Sequence, residues 1–216
     1  MSYQKKELRE WHMPLHRDEI TLKSAYELIS AFANTQQEVP LIVRLIENPH
    51  YQLPGFALFQ GAVSLRQHDY IHLILGRGFT LADEAFVIGF TMGTTDKVST
   101  WEAWLYCLAS RYLYPKAYCF NKDHARIFYD AVAAGYISAC HPLDTFCFDD
   151  VVDLPLRDIR ARLGLETDLL QSCYEVEARR FPHLLGSRRL ARAGGRTAFD
   201  SPHVSMRNQP QLSSAA

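Results

Sequence analysis

Apolar residues recur at intervals of three and four positions through most of the chain, the spacing that places them on one face of an α-helix. Thr21 and Thr80 stand where two of these runs begin and can cap them, and Pro49 stops another. The predicted helices cover residues 22–32, 36–47, 54–75, 80–93, 100–112, 121–137, 155–163 and 169–181. No alternating run is long enough to require a sheet, although residues 146–152 could form a short extended piece. The pattern therefore predicts an all-α fold.

The predicted helices fill the middle of the chain, and its 216 residues fit a single domain. We expect an N-terminal arm over residues 1–15, a multi-helix domain over residues 16–183 and a basic, then polar tail over residues 184–216. The tail is predicted because arginines accumulate around and after Phe181 and polar residues fill the last stretch. Such a composition buries too little apolar surface to fold.

Composition and charge exclude several classes of protein. Apolar residues make up 48% of the chain, and the formal net charge of −1 gives no overall field that would attract nucleic acid. No apolar run reaches the roughly eighteen residues of a membrane-spanning helix. Residues 1–17 lack the apolar core of a signal peptide and the acid-free character of a transit peptide. We therefore expect a cytoplasmic protein.

The five cysteines are widely spaced, and none of them forms a Cys-x-x-Cys pair. A zinc ribbon or a disulfide framework is therefore not predicted. Reduced thiols are the default for a cytosolic protein.

Three ionisable side chains project from the inward side of the helix predicted over residues 54–75. His68 and His72 lie about 40° apart around the helix axis, and Asp69 lies about 60° from His72. Small and apolar residues occupy the same arc in the preceding turns, so this side should pack inward. Two imidazoles and a carboxylate are costly to bury without compensation, and a divalent cation would supply it.

Glu84 is the fourth member of this constellation, on a helix that is apolar nearly all round. The tight turn 76–79 would make the two helices antiparallel neighbours and bring Glu84 opposite His68 and His72. Two nitrogen and two carboxylate ligands suit zinc best, with iron or manganese as alternatives, and disfavour copper(I). The alternative is that the histidines and Asp69 cap or pair locally and that Glu84 pairs with Arg77.

The segment from His68 to His72, His-Asp-Tyr-Ile-His, is followed by eleven residues and then Glu84. This motif resembles the signature of the coenzyme Q biosynthesis protein 4 family, and so does the sequence of residues 73–76. The resemblance covers residues 54–93; the family usually has Gly where this chain has Asp83. It implies an α-helical protein that holds a metal with His68, Asp69, His72 and Glu84.

The resemblance also implies an activity. Members of this family associate with the membrane surface and take part in ubiquinone assembly. Their implied chemistry removes the ring carboxylate of a prenylated benzoquinone precursor and adds oxygen at that carbon. The family is also credited with organising other biosynthetic proteins, so partners would include a prenylated precursor or another isoprenoid lipid, those proteins, the inner membrane surface and a second copy of the chain.

Four residues near the motif are candidates for substrate binding. Gly89 and Gly93, beside Met92, leave a groove that could receive a prenyl tail, or else they allow close helix packing. Arg77, in the turn between the ligand helices, could steer an anionic group toward the metal or pair with Asp83. The arginines of residues 179–196 could touch anionic lipid or remain solvated.

Several function classes remain open on the sequence alone. An enzyme would use the metal as a Lewis acid with an open coordination position, whereas a lipid-binding or scaffold protein would use a closed, structural site. A phosphohydrolase built on the His-Asp doublet would need further ligands, for which His50 and Asp96 are candidates. A di-iron bundle would need a second acid-x-x-His element beside Asp69-x-x-His72. We favour the enzyme, with the scaffold as the alternative.

Overall fold

The computed structural model describes residues 11–33, 65–95 and 120–190. Within these ranges the chain is helical and contains no strand. The helices are α1 (Leu22–Ala33), α2 (Leu65–Leu75), α3 (Leu81–Gly93), α4 (Lys122–Ile137), α5 (Leu156–Leu163), α6 (Thr167–Arg180) and α7 (Leu185–Leu190), with a 3₁₀ turn at Phe148–Val151. Two isolated bridges join His12 to Gly78 and Thr21 to Pro155. The all-α prediction is confirmed, and no helix in the described ranges combines the length and apolar character of a membrane span.

Local capping explains where the central helices begin. The Thr80 hydroxyl accepts from the backbone N–H of Asp83, whose carboxylate accepts in return from the backbone N–H of Thr80. Asn121 and His124 form the same reciprocal pair at the start of α4. Each pair satisfies backbone donors that would otherwise lack partners in the first turn. Helix α2 ends at Leu75, and the following Gly76 has a φ of 72°, a left-handed conformation that glycine adopts without strain.

Helix α3 is almost entirely buried, and among the described helices its largest interface is with α4. A Cβ built on Gly89 would lie 2.5 Å from the carbonyl oxygen of Phe128, and one on Gly93 would lie 3.0 Å from the Cα of Gly135. Because these contacts advance together along both helices, α3 and α4 run in the same direction. The prediction of antiparallel helices does not describe this pair.

The core includes residues from both predicted extensions. Trp11 and Met13 are each 2% exposed, although they lie in the predicted N-terminal arm. Helix α7 lies in the predicted tail, yet Ser187 and Leu190 are buried. The folded region therefore extends at both ends beyond residues 16–183.

The helix predictions that fall on described residues agree with the structure over α1 to α6, to within about two residues at each boundary. The predicted helices 36–47 and 100–112, and residues 54–64 of a third, lie outside the described residues. The extended piece predicted within residues 146–152 is wrong, because Phe148–Val151 forms a 3₁₀ turn. Helix α7 was not predicted, since its six residues are too few for a periodic pattern.

Candidate metal centre

Side chains from α2 and α3 converge beside the turn that joins these helices. The Nε2 atoms of His68 and His72 are 3.0 Å apart. Glu84 presents one carboxylate oxygen to each ring, with Oε2 3.0 Å from His68 Nε2 and Oε1 3.4 Å from His72 Nε2. One ligand atom from each residue lies within 4.8 Å of the others, so the three side chains form a group that could hold a metal ion.

The hydrogen bond of His72 Nδ1 determines which nitrogen of this ring is available to bind a metal. His72 Nδ1 lies 2.7 Å from the carbonyl oxygen of Gly78. A carbonyl only accepts hydrogen bonds, so Nδ1 carries the proton and donates it. In the neutral ring the lone pair is then on Nε2, which faces His68 and Glu84. Metal-binding histidines are commonly oriented by a hydrogen bond of this kind from the other ring nitrogen.

The electrostatics of the cluster favour positive charge. Burial alone would raise the pKa of Glu84, but the neighbouring imidazoles of His72 and His68 outweigh it and lower the pKa to about 2. Burial alone would lower the pKa of His72, but the carboxylates of Glu84, Asp69 and Asp83 outweigh it and raise the pKa. A cation between these groups would neutralise an ionised Glu84 that is largely withdrawn from water.

The donor set and its spacing fit a divalent metal. A tetrahedral ion with bonds of about 2.1 Å separates its ligand atoms by about 3.4 Å, close to the distances between the three side chains. Two imidazoles and one carboxylate are found both in catalytic zinc sites and in non-haem iron sites with open positions. The His72 side chain is 0% exposed, whereas those of His68 and Glu84 are 13% and 12% exposed. The cluster therefore reaches solvent on the His68 and Glu84 side.

Asp69, the fourth predicted ligand, does not belong to this group of three. Its carboxyl is partly buried, and burial raises its pKa, opposed by the imidazoles of His72 and His68. These interactions place Asp69 near the cluster. Its role as a ligand stays a prediction.

Arg77 lies in the turn but is completely buried. Its guanidinium donates to Glu177 Oε2 at 2.7 Å, and its Nε lies 3.8 Å from Asp83 Oδ1. The ring centroids of Phe86 and Tyr174 lie 4.1 and 4.8 Å from the guanidinium carbon. Of the three roles predicted for Arg77, pairing with Asp83 matches this arrangement, but at a buried position rather than at the surface. The Glu84 carboxylate instead contacts His68 and His72. A fully enclosed guanidinium does not meet a substrate from solvent.

Asp83 anchors the start of the helix that carries Glu84. It is 0% exposed and pairs with Arg189 of α7 as well as with Arg77. Burial would raise its pKa, but these two guanidiniums outweigh it and hold the pKa of the carboxyl far below its usual range. The buried charge of Asp83 is thus matched by two arginines of this chain.

The predicted lipid groove is filled by another helix. Gly89 and Gly93 face the backbone of α4, and Met92 is 3% exposed. Close helix packing is therefore the role that the structure gives to the two glycines. Two residues suggested for a phosphohydrolase site, His50 and Asp96, lie outside the described residues.

Sequence reasoning missed three residues that support the centre: Trp11, Phe79 and Arg189. Phe79 stacks on the His72 ring, Trp11 stacks on Phe79, and Arg189 pairs with Asp83. Trp11 and Arg189 are distant in sequence from the residues they contact, so no local pattern could reveal them. Phe79 could have been noticed as an aromatic residue in a turn beside two candidate ligands.

The chain was compared with known protein families, with curated proteins and with solved structures, and none of the three comparisons found a match.

Proposed function

We propose that this chain is a metal-dependent protein whose centre is formed by His68, His72 and Glu84. The observation that supports this most directly is the convergence of both Nε2 atoms and both Glu84 oxygens within 3.0–3.4 Å. The orientation of His72 by Gly78 and the solvent-facing side of the cluster are consistent with an ion that keeps an open coordination position. Zinc fits the donor set best, and iron or manganese would also be accepted.

The first test is the metal content of the purified protein, measured by elemental analysis beside His72→Ala and Glu84→Gln variants. We expect about one metal ion per chain in the wild type, and none in either variant, because each variant leaves two ligands. Exposed His183→Ala and Glu175→Gln are matched controls, since these side chains lie away from the cluster. Wild-type protein without metal after incubation with zinc, iron(II) and manganese(II) would refute the centre.

The resemblance of the motif supports a substrate for this centre. We propose a prenylated benzoquinone precursor that loses its ring carboxylate as CO₂ while one atom of O₂ enters the ring. Two electrons and two protons from an external reductant convert the other oxygen atom to water. A bound metal would act as a Lewis acid that stabilises negative charge developing on the ring oxygens. His68 and Glu84 lie on the side from which such a ring would approach.

This substrate assignment has its own test. Metal-loaded protein is incubated with a prenylated hydroxybenzoate, a chemical reductant and ¹⁸O₂, and the products are analysed by mass spectrometry. We expect a hydroxylated, decarboxylated product that carries one ¹⁸O atom, and no product with Glu84→Gln. Metal binding without turnover would leave the centre intact and reject this substrate.

A non-catalytic scaffold is the second candidate. The fully buried His72 and the position of the cluster across α2 and α3 favour it, because a metal there would tie the two helices together. The candidates differ in whether a coordination position is open to small ligands. If the visible spectrum of cobalt(II)-substituted protein changes when azide is added, the site is open. An unchanged spectrum over a wide azide range would favour the scaffold.

A further inference from the structure

The aromatic ring of Phe79 stacks on two other rings. It stacks on the His72 imidazole, with centroids 5.2 Å apart and an angle of 29° between the planes. It also stacks on the Trp11 indole, with centroids 5.4 Å apart and an angle of 16°. Phe79 therefore connects the His72 ring to Trp11, which is 2% exposed.

The backbone around this stack is fixed as well. Residue 12 forms an antiparallel bridge with Gly78, the residue whose carbonyl accepts from His72 Nδ1. A side chain at Gly78 would overlap the carbonyl oxygen of Trp11 and the guanidinium of Arg189, so the turn is tightly enclosed. Residues 11 and 12 thus contact both groups that orient the His72 ring: its stacking partner Phe79 and its hydrogen-bond acceptor Gly78.

Orientation matters because the torsion that turns an imidazole about its Cβ–Cγ bond is broad and has no sharp preference of its own. A modest rotation would carry Nε2 of His72 away from His68 and Glu84. The hydrogen bond to Gly78 limits this rotation, and the flat contact with Phe79 limits it further. A ring that is already oriented loses less freedom when a metal binds.

We propose that Phe79 and Trp11 are positioning residues of the metal centre: they hold the His72 ring so that Nε2 faces the other two ligands. This inference rests on the proposed metal centre. Phe79 acts directly on the His72 ring, and Trp11 acts through Phe79. Neither residue supplies a ligand atom.

The test compares zinc affinity among variants, measured by competition with a chromophoric chelator at a temperature where each variant is folded. Phe79→Leu and Trp11→Leu remove the stack, whereas Trp11→Phe keeps an aromatic ring in it. Phe148→Leu is the matched control: this buried ring also has two aromatic neighbours, Tyr70 and Phe146, and neither is a ligand. The cobalt(II) spectrum and the urea unfolding curve of each variant are recorded alongside.

We expect Phe79→Leu and Trp11→Leu to weaken zinc binding by about ten- to a hundredfold, the range found for residues that orient metal ligands. Their cobalt(II) spectra should change, because the geometry at His72 changes. Trp11→Phe should restore most of the affinity. Phe148→Leu should lower the resistance to urea while its zinc affinity and cobalt(II) spectrum stay at wild-type values.

Three outcomes would overturn the proposal in distinguishable ways. Wild-type zinc affinity in folded Phe79→Leu would reject positioning and leave the metal centre standing. Equal losses of affinity in Phe79→Leu and Phe148→Leu would show that the stack acts through general stability alone. If wild-type protein binds no metal, the proposed centre and this inference both fail. Phe79 is only half-buried, so Phe79→Leu decides the question even if Trp11→Leu does not fold.

Discussion

Two buried guanidiniums, those of Arg77 and Arg189, pair with the carboxylate of Asp83. That carboxylate also accepts from the backbone and the hydroxyl of Thr80, so it joins an ion-pair network to a helix cap. Glu177 completes the network by accepting from Arg77 and from the Ser187 hydroxyl, each at 2.7 Å. Charges that are enclosed in this way are tolerated because they are paired, and removing one leaves the others uncompensated.

Replacement of Asp83 should therefore be among the most damaging single changes. We expect Asp83→Ala to lower the free energy of unfolding by about 3–5 kcal/mol, because it removes a buried carboxylate that pairs with Arg189 and with Arg77. Urea unfolding followed by circular dichroism would measure the change. The matched control is Asp130→Ala, which breaks a surface pair with Arg180 and should cost less than about 1 kcal/mol. Equal effects of the two substitutions would contradict the enclosed network.

At the scale of elements, α3 joins the metal cluster to the rest of the fold. One side of the helix carries Glu84, and another carries the two glycines that let the backbone of α4 approach. The close contact fixes α3 against α4, and the Thr80–Asp83 cap fixes its first turn. Glu84 lies in that first turn, so the contact and the cap together fix its position along α3 relative to α2.

The closeness of the α3–α4 contact can be tested by adding one methyl group, that of alanine, at Gly93. A Cβ at Gly93 would overlap the carbonyl oxygen of Val132, so we expect Gly93→Ala to lower the free energy of unfolding by about 1–3 kcal/mol. The higher helix propensity of alanine offsets up to about 1 kcal/mol of this strain. Ala133→Leu, on the exposed side of α4, is the control and should change stability by less than about 0.5 kcal/mol. A stabilised Gly93→Ala protein would show that the helices can separate without cost.

The helices and their contacts also show how much of this structure could be predicted from the sequence. Helices α1 to α6 follow from apolar spacing and from capping residues such as Thr80, because both signals are local. The pairing of His68, His72 and Glu84 also follows, since a short turn limits where α3 can lie. The parallel course of α3 and α4 could not be predicted, because it depends on packing between segments joined by residues 96–119. The roles of Trp11 and Arg189 depend on such distant contacts as well.

At the scale of the whole molecule, the proposed metal would link two helices that are also held by residues near both ends of the described chain. A ligand that binds only the folded state raises its stability according to its concentration and affinity. Because the three donor atoms come together only in the fold, zinc should act in this way. The metal would then strengthen the same turn region that Trp11 and Arg189 enclose.

We therefore expect zinc to raise the thermal unfolding temperature. At a free concentration about a hundred times the dissociation constant, the gain is about 2.7 kcal/mol. For a domain of this size that corresponds to an increase of about 5–11 °C in Tm. Differential scanning calorimetry with zinc, and then with excess chelator, would show the rise and its reversal. Glu84→Gln should show no zinc-dependent shift, and a shift equal to that of the wild type would contradict the assignment of Glu84.

The contact between Arg189 and Asp83 spans 106 residues of chain. On the ribosome, the ligand residues 68–84 emerge long before residue 189 has been synthesised. Until α7 arrives, Asp83 lacks Arg189, one of its two arginine partners, and the start of α3 is held only by its cap and by Arg77. The centre can therefore reach its final geometry only after residue 189 has been synthesised, and we expect the chain to acquire its metal after that point rather than when the ligand residues first emerge.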